Sequence, residues 1–261
     1  MRPRSRTKRS GFSLQAVLFG VAAITIILTS QGGFTLIELR LSLVTLLVIS
    51  GSAFQIMNLA TQRSATEQTK LDMLQEGREF MDQMSRDLRQ AGYPNPRNFA
   101  SGVLTVSPIA NDHRAAVGLV KVDTNDLWFE GDVDGSGTVS VVEYHLDTST
   151  SNNCPCLKRS QLPKIDGDPV AGQSTPSYQI EVQGVQNTAI FSARSNGSVV
   201  GLPVTFSSST MGSIDTVQAV LTLQSALVDP QTRQKPLTTL VSTVKLNNCS
   251  QATTGTAMSC W

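Results

Sequence analysis

The chain has 261 residues, of which 40% are hydrophobic and 16% charged, and its formal net charge is +1 at pH 7. This length accommodates one large domain or two small ones, and the balanced charge excludes a polyelectrolyte. Two Trp, three Tyr and no recurring basic stripe leave little for base stacking, so no nucleic-acid partner is expected.

The first 33 residues have the character of a leader. A cluster of cations precedes an apolar run, Phe12 to Leu28. Such a basic start is typical of a cytoplasmic orientation signal in front of a membrane segment. The cations are Arg2, Arg4, Arg6, Lys8 and Arg9.

A second apolar segment follows the hexapeptide Gly33-Phe34-Thr35-Leu36-Ile37-Glu38 and runs from Leu39 to Phe54. Residues 34–53 would form a helix of about 30 Å, enough to cross a hydrocarbon core. We therefore predict a transmembrane helix at 34–57. A carboxylate in the centre of such a helix costs about 2.5 to 3.5 kcal/mol, so Glu38 is a candidate functional group that requires a partner.

An amphipathic helix is predicted at 58–92. Its apolar residues recur at spacings near three, four and seven, which indicates a face that packs on a sheet. Gly92 and the following Tyr93-Pro94-Asn95-Pro96 end the helix. The predicted apolar stripe consists of Leu71, Leu74, Met81, Met84, Leu88 and Ala91.

The remainder, 93–261, is predicted to be a β-rich globular domain, because short β-branched runs alternate with Pro, Gly, Asn and Ser clusters. The last two runs flank Asp229-Pro230-Gln231-Thr232 and predict a long hairpin. The predicted strands are Val103 to Val106, Val117 to Val122, Leu127 to Glu130, Val139 to Leu146, Tyr178 to Val182, Ala189 to Ala193, Val217 to Leu223 and Leu237 to Leu246.

The chain has four cysteines, Cys154, Cys156, Cys249 and Cys260. An even number behind a membrane segment indicates disulfides formed in an oxidising compartment such as a periplasm. The spacing does not match a zinc site. Three connectivities remain open, one of which joins Cys154 to Cys156 and Cys249 to Cys260.

The segment from Asp132 to Glu143 matches the twelve-residue calcium loop of an EF-hand. The candidate ligands are Asp132, Asp134, Ser136, the carbonyl of Thr138, Ser140 and Glu143. The flanking residues look like strands, so the two interpretations are a structural calcium ion in a strand-loop-strand setting and a solvated Gly-rich turn. Three carboxylates outside the cytoplasm predict weak affinity, with a dissociation constant of about 10⁻⁴ to 10⁻³ M.

No nucleophile, phosphate-binding or metalloprotease motif is present, and neither histidine lies in a catalytic pattern. Cys154-Pro155-Cys156 lacks the two intervening residues of a thioredoxin-type motif. We therefore expect that the protein is not an enzyme and needs no cofactor, apart from the candidate calcium ion.

These features together resemble the type IV pilin and pseudopilin superfamily. The hexapeptide ending in Glu38 is similar to the family's processing site, and three further segments are similar to minor pilins of the PilW type, with PulJ/GspJ pseudopilins close behind. The segments are Asp87-Leu88-Arg89-Gln90-Ala91-Gly92-Tyr93, Cys156-Leu157-Lys158-Arg159 and Leu246-Asn247-Asn248. The resemblance implies an α+β fold in which one long helix, half transmembrane and half amphipathic, packs on an antiparallel sheet domain.

By that resemblance, prepilin peptidase cuts between Gly33 and Phe34, and the new amine of Phe34 is methylated. Glu38 then pairs with the Phe34 amine of a neighbouring subunit, because an opposite charge removes most of the cost of burying either group. The implied partners are other major and minor pilins and an inner-membrane assembly platform. The implied location is a single-pass inner-membrane protein with a periplasmic domain, which later enters a fibre at the cell surface.

The leading expectation is a minor pilin that primes or enters a type IV pilus and so supports adhesion, twitching motility or DNA uptake. The alternative within the superfamily is a minor pseudopilin of a type II secretion system. The alternative of another class is a surface-displayed, calcium-dependent adhesin or binding module.

The apolar run Phe12 to Leu28 conflicts with cleavage at Gly33. If that run crossed the bilayer, Gly33 would emerge on the periplasmic side, out of the peptidase's reach. Two explanations remain open: translation begins downstream, for instance at the codon read as Leu28, or the leader does not span. A weaker motif, Ser10-Gly11-Phe12, lacks the glutamate because Ala16 takes its place.

Overall fold

A computed structural model describes residues 35–149 and 154–247, together with two short strands at 250–251 and 258–259. Gly33, Phe34, Cys249 and Cys260 lie outside the described residues, as does the apolar leader. The chain divides into two compact units, residues 1–58 and residues 59–261.

A single helix, α1, runs from Leu36 to Gln90 over 55 residues, so the two predicted helical segments are continuous. Within the first unit its large apolar side chains are exposed along the described part. Among the described residues, α1 is the one helix that is long and apolar enough to cross a membrane, with a mean hydropathy of 1.7 in an 18-residue window that is not buried at all. The length and composition thus agree with the predicted span.

Helix α1 ends where predicted. Gly92 adopts a left-handed conformation, with φ of 80°, and its N–H donates to the carbonyl of Glu130 at 2.8 Å. Ala91 forms an isolated bridge with Gly131, whose missing side chain lets the two backbones meet: a Cβ there would lie 2.5 Å from the carbonyl oxygen of Gln90. The helix end is therefore fastened directly to a strand.

Two antiparallel sheets make up most of the second unit. The first has the order β5-β4-β3-β2-β1-β8 and the second the order β10-β9-β6-β7, while β11 and β12 pair with each other. The strands are β1 (Leu119–Val122), β2 (Asp126–Gly131), β3 (Ser140–Asp147), β4 (Cys156–Pro163), β5 (Gln179–Gln183), β6 (Phe191–Ser195), β7 (Ser198–Val199), β8 (Val204–Thr205), β9 (Thr216–Gln224), β10 (Leu237–Lys245), β11 (Ser250–Gln251) and β12 (Met258–Ser259).

The described residues confirm an α+β architecture with an N-terminal helix and antiparallel sheets. The predicted hairpin is also confirmed, because β9 and β10 pair in continuous register from Thr216 opposite Lys245 to Gln224 opposite Leu237. Short 3₁₀ turns at Pro96–Asn98, Ile109–Asn111 and Met211–Ser213 interrupt the connections.

The predicted strand Val103 to Val106 is wrong. Gly102 takes a left-handed conformation, with φ of 82°, and the N–H of Val103 donates to the carbonyl of Ala100, which closes a turn. The N–H of Thr105 then donates to the buried carboxylate of Asp112 instead of a strand partner. Local turn hydrogen bonds therefore outweigh the β-branched composition.

Strand β4 was not among the predicted strands, because four polar residues in its middle hide the period of two. Lys158 pairs with Asp147 and Arg159 pairs with Asp87, so neither charge in the strand is left without an opposite charge. Its register with β3 is continuous, from Ser140 opposite Pro163 to Asp147 opposite Cys156.

The predicted buried face of the amphipathic segment is partly wrong. Met81, Met84, Leu88 and Ala91 are buried, as expected, but Leu71 is 62% exposed. The buried face includes Met73, Gly77 and Phe80 and leaves out Leu71, so it is turned about the helix axis relative to the predicted stripe. Small and polar residues belong to this face as well. The buried helical residues are Thr66, Met73, Gly77, Phe80, Met81, Met84, Asp87 and Leu88.

An aromatic cluster joins α1 to the first sheet within the second unit. The rings of Phe80 and Tyr144 meet edge to face at 5.4 Å, and Tyr144 stacks on Phe129 at 6.2 Å. Met84 and Leu88 are fully buried beside them in the same core. Aromatic pairs of this kind contribute about 0.5 to 1.5 kcal/mol beyond the area that they bury.

Candidate functional site

Glu38 lies in the first turn of α1 and forms a capping box with Thr35. The Thr35 N–H and hydroxyl both donate to Glu38 Oε2 at 3.0 Å, and the Glu38 N–H points back to Thr35 Oγ1 at 3.4 Å. This reciprocal arrangement gives the Thr35 N–H an acceptor that the helix backbone does not provide, whereas the Glu38 N–H also donates to the Thr35 carbonyl at 3.0 Å. In the single chain, the carboxylate that the sequence singled out is thus bound by its own neighbour.

The surroundings of Glu38 are apolar and open. Leu36, Ile37 and Leu41 are each more than 65% exposed, and Glu38 is exposed with them. Exposed apolar patches of this extent mark a surface that meets lipid or other proteins. Gly33 and Phe34, the other two residues of the predicted processing and pairing site, lie outside the described residues, so their roles remain predictions.

The predicted calcium loop forms the connection between β2 and β3. The Gly137 N–H donates to Asp132 Oδ2 at 3.0 Å, and the Ser136 N–H donates to Asp134 Oδ1 at 3.0 Å. The Ser136 hydroxyl and this N–H both lower the pKa of Asp134. The first three side chains of the predicted ligand set thus belong to one tight turn.

The later part of the calcium motif is divided between two faces of β3. Ser140 and Glu143 are three residues apart in this strand, so their side chains point to opposite faces. Glu143 Oε2 accepts a hydrogen bond from the Tyr178 hydroxyl at 2.7 Å. Burial raises the pKa of Glu143, although this hydrogen bond opposes the shift. The structure therefore does not bring Glu143 together with Ser140.

The cysteines that the structure describes, Cys154 and Cys156, are joined by a disulfide at the start of β4. This bond leaves Cys249 and Cys260 only each other as partners within the chain, which is one of the three connectivities left open by the sequence. The short strands β11 and β12 pair with Ser250 opposite Ser259.

A buried ion network that no linear motif contains joins α1 to the first sheet. Arg159 is 72 residues from Asp87 and 15 from Tyr144 along the chain, yet its Nη2 donates to Asp87 Oδ2 at 2.8 Å and its Nε lies 3.3 Å from the Tyr144 hydroxyl. Gln83 donates to the other oxygen of Asp87 at 2.9 Å. The available signal was the carboxylate of Asp87 itself, which interrupts the apolar stripe between Met84 and Leu88.

A second buried pair, Glu130 and Lys164, holds the connection after α1 against β2. Lys164 Nζ donates to Glu130 Oε2 at 2.7 Å and to the carbonyls of Ala110 and Ala115 at 2.8 Å. Both side chains are fully buried, and burial raises the pKa of Glu130. Such a pair fixes the loop geometry, because each charge would be costly without the other.

Among the described residues, two groups of side chains have the composition of a metal site, and one of them consists of Asp147 and the disulfide-bonded Cys154 and Cys156. The other lies at the connection after α1. Ligand atoms of Asp112, His113 and Asp166 lie within 4.8 Å of one another. However, Arg114 donates to both oxygens of Asp112, at 2.9 and 2.7 Å, and His113 Nδ1 lies 2.7 Å from Asp166 Oδ1. The group is internally satisfied as an ion-pair cluster.

Comparison with known proteins assigns no role to these residues. The chain matches no protein-family model, no curated protein and no solved structure. Any functional conclusion therefore depends on the helix, the carboxylate at its start and the domain that follows it.

Proposed function

We propose that this protein is a minor pilin that primes or enters a type IV pilus through the N-terminal part of α1. The observation that carries the proposal is the exposed apolar stretch of α1 with a single carboxylate, Glu38, in its first turn. Such a surface is stable only when lipid or other helices cover it. In the membrane it lies in lipid, and in the fibre it packs on the helices of neighbouring subunits.

The proposed role of Glu38 is to pair with the N-terminal amine of a neighbouring subunit after cleavage between Gly33 and Phe34 and methylation of Phe34. A neighbour's ammonium offers the carboxylate a charged partner in place of the neutral Thr35 donors. Charge-assisted hydrogen bonds are roughly twice as strong as neutral ones, so assembly gains from this exchange.

Two substitutions separate pairing from helix capping. Glu38→Gln keeps a side-chain acceptor at the third helical position, where Gln also serves in a capping box, but it removes the charge. Glu38→Ala removes both. We expect both variants to abolish piliation in a strain that lacks the wild-type gene, with normal protein levels. The matched control is Glu67→Gln, an exposed carboxylate later in α1.

Normal piliation with Glu38→Gln, together with loss of piliation with Glu38→Ala, would assign Glu38 to capping alone and overturn the pairing role. N-terminal sequencing of the mature protein provides the second test. We expect a methylated Phe34 at the first position, whereas a start at Phe12 or Met1 would rule out processing at Gly33.

The alternatives give different outcomes in the same strains. A pseudopilin of a type II secretion system predicts that the Glu38 variants retain pili and fail to secrete extracellular enzymes. An adhesin predicts that pili remain and only attachment is reduced. Pili that are unchanged in number in a deletion strain would contradict the minor-pilin proposal.

A further inference from the structure

The turn between β2 and β3 contains a buried carboxylate oxygen that its own chain does not satisfy. Asp132 is only 8% exposed, and its Oδ2 accepts the Gly137 N–H. The other oxygen, Oδ1, is buried and has no hydrogen-bond partner among the described residues. Burying an unpaired charged oxygen is costly, so an oxygen in this state requires a positive partner.

A second carboxylate stands beside the first. Asp134 follows Asp132 by two residues in the same turn, and the Asp132 side chain interacts with the Asp134 carboxylate. Two ionised carboxylates in one turn repel each other, and the repulsion grows as burial lowers the local dielectric. A divalent cation between them would replace the repulsion with two attractions and would also give Asp132 Oδ1 its partner.

The hydrogen bonds within the turn explain its shape, but none of them is accepted by Asp132 Oδ1. The Thr138 N–H donates to Ser136 Oγ at 3.2 Å, so this hydroxyl oxygen also belongs to the hydrogen-bonded turn. Asp134, Ser136, Thr138 and Ser140 line a depression of about 370 Å³ together with Gln161, Leu162 and Pro163. Asp132 and Gly137 line a second depression, of about 560 Å³, and Thr138 borders both. Oxygen atoms of the turn therefore face spaces with room for an ion and its water ligands.

We propose that the turn 132–138 binds a calcium ion between the carboxylates of Asp132 and Asp134, with oxygen atoms of Ser136 and Thr138 and water completing the shell. This ligand set differs from that of an EF-hand, because Glu143 is on another face of β3 and is bound to Tyr178. An all-oxygen set on a short, exposed turn suits calcium, which accepts irregular geometry, better than magnesium, which requires a near-ideal octahedron.

The ion would act on the junction between α1 and the first sheet. The Asp132 N–H donates to the carbonyl of Tyr93 at 2.8 Å, just after the Gly92 N–H is bound by Glu130. The site therefore begins at the point where the chain leaves the helix. Calcium binding is independent of the proposed assembly role of Glu38, so each proposal can fail without the other.

The test is calorimetric titration of the calcium-stripped full chain in detergent with CaCl₂, and with MgCl₂ in parallel. We expect one calcium site with a dissociation constant in the range of about 10⁻⁴ to 10⁻³ M and a higher thermal midpoint with saturating calcium. Asp132→Asn and Asp134→Asn keep the acceptors for Gly137 and Ser136, and each should weaken binding at least tenfold. Glu143→Gln should change affinity by less than twofold.

The folding control is the thermal midpoint of each variant in EDTA, which should match that of the wild type. If Asp132→Asn lowers that midpoint, the exposed Asp134→Asn and Ser136→Ala variants carry the test. Absence of calcium-specific heat in the wild-type protein would overturn the proposal. Full binding by Asp134→Asn, or loss of binding in Glu143→Gln, would overturn the ligand set.

Discussion

The Tyr144 hydroxyl donates to Asp87 Oδ2 over 2.8 Å, so a residue in the middle of β3 is bonded to a carboxylate on the buried face of α1. Both residues are almost completely buried, and Arg159 supplies the balancing charge. Desolvation raises the pKa of Tyr144 well above its ordinary value, so the phenol remains a donor at every physiological pH.

Removal of the Asp87 carboxylate should weaken the second unit strongly, because it leaves Arg159 and Tyr144 without their acceptor. We expect Asp87→Ala to lower the free energy of unfolding by about 3 kcal/mol or more and Tyr144→Phe to lower it by about 1 to 2 kcal/mol. Denaturant unfolding in detergent measures both. Asp82→Ala, on the exposed face of the same helix, is the control and should change stability by less than about 0.5 kcal/mol. Equal effects of Asp82 and Asp87 would contradict the network.

We predict that replacing Lys164 alone destabilises the protein much more than replacing Glu130 and Lys164 together. Lys164→Met leaves a buried carboxylate without its cation and should cost about 3 to 5 kcal/mol. The double variant Lys164→Met with Glu130→Leu removes both charges, so it should recover much of that loss. Unfolding curves for the wild type, Lys164→Met, Glu130→Leu and the double variant give the coupling energy. Additive effects of the two substitutions would show that the charges act independently.

We predict that His145 makes the free energy of unfolding depend on pH. Its interaction with Asp126, whose Oδ1 is 3.7 Å from His145 Nδ1, raises the pKa of the imidazole, and Asp147 acts in the same direction while Lys121 opposes it. Because the folded pKa exceeds the unfolded value of about 6.5, the folded state binds the proton more tightly. The stabilisation is complete below about pH 6.5 and is lost as the pH rises through the folded pKa.

The chain has two histidines, so the shift can be measured directly. In His113→Gln the one remaining imidazole signal belongs to His145, and its NMR titration should give a pKa above about 6.5. Adding Asp126→Asn should bring the pKa down. An unchanged titration after that substitution would assign the shift to another charge.

We predict that even a single methyl group added at Gly77 lowers the free energy of unfolding. A Cβ there would lie 2.6 Å from Leu240 Cδ1 and 2.8 Å from Leu223 Cδ1. Alanine favours the helix by about 1 kcal/mol relative to glycine, whereas overpacking costs about 1 to 3 kcal/mol. The clashing atoms are the ends of flexible side chains, so we expect a net loss of about 1 kcal/mol for Gly77→Ala and a larger loss for Gly77→Val.

The control for Gly77 is Gly51→Ala, since a Cβ at Gly51 meets nothing within 4 Å. That variant should leave the thermal midpoint unchanged or raise it. A stabilising effect of Gly77→Ala as well would indicate that the two leucines move aside without cost.

The sequence was sufficient for features that depend on local pattern. The helix, its end at Gly92 and the last hairpin all follow from periodicity and turn residues. The burial of Met73 in place of Leu71, two residues earlier, was not predictable, because the sheets decide which of the two apolar side chains is covered. Strand β4 was hidden for the same reason: its polar side chains are explained by partners that lie far away in sequence.

The candidate sites show the same division. The capping box joins Thr35 and Glu38, which are three residues apart, so the hexapeptide itself is enough to predict it. The Asp87–Arg159 contact joins residues 72 positions apart, so no linear motif contains it. Glu143 has the right spacing for a calcium loop, yet that spacing assumes a helix after the loop. In a strand, the alternation of side chains turns Glu143 away from Ser140.

The contact between Ser85 and Ser242 has a consequence for synthesis. Their hydroxyls are 3.0 Å apart although 157 residues separate them. At about 5 to 20 residues per second, a ribosome needs roughly 8 to 30 s to make that stretch. The face of α1 that β10 covers is therefore bare for this time in every newly made chain.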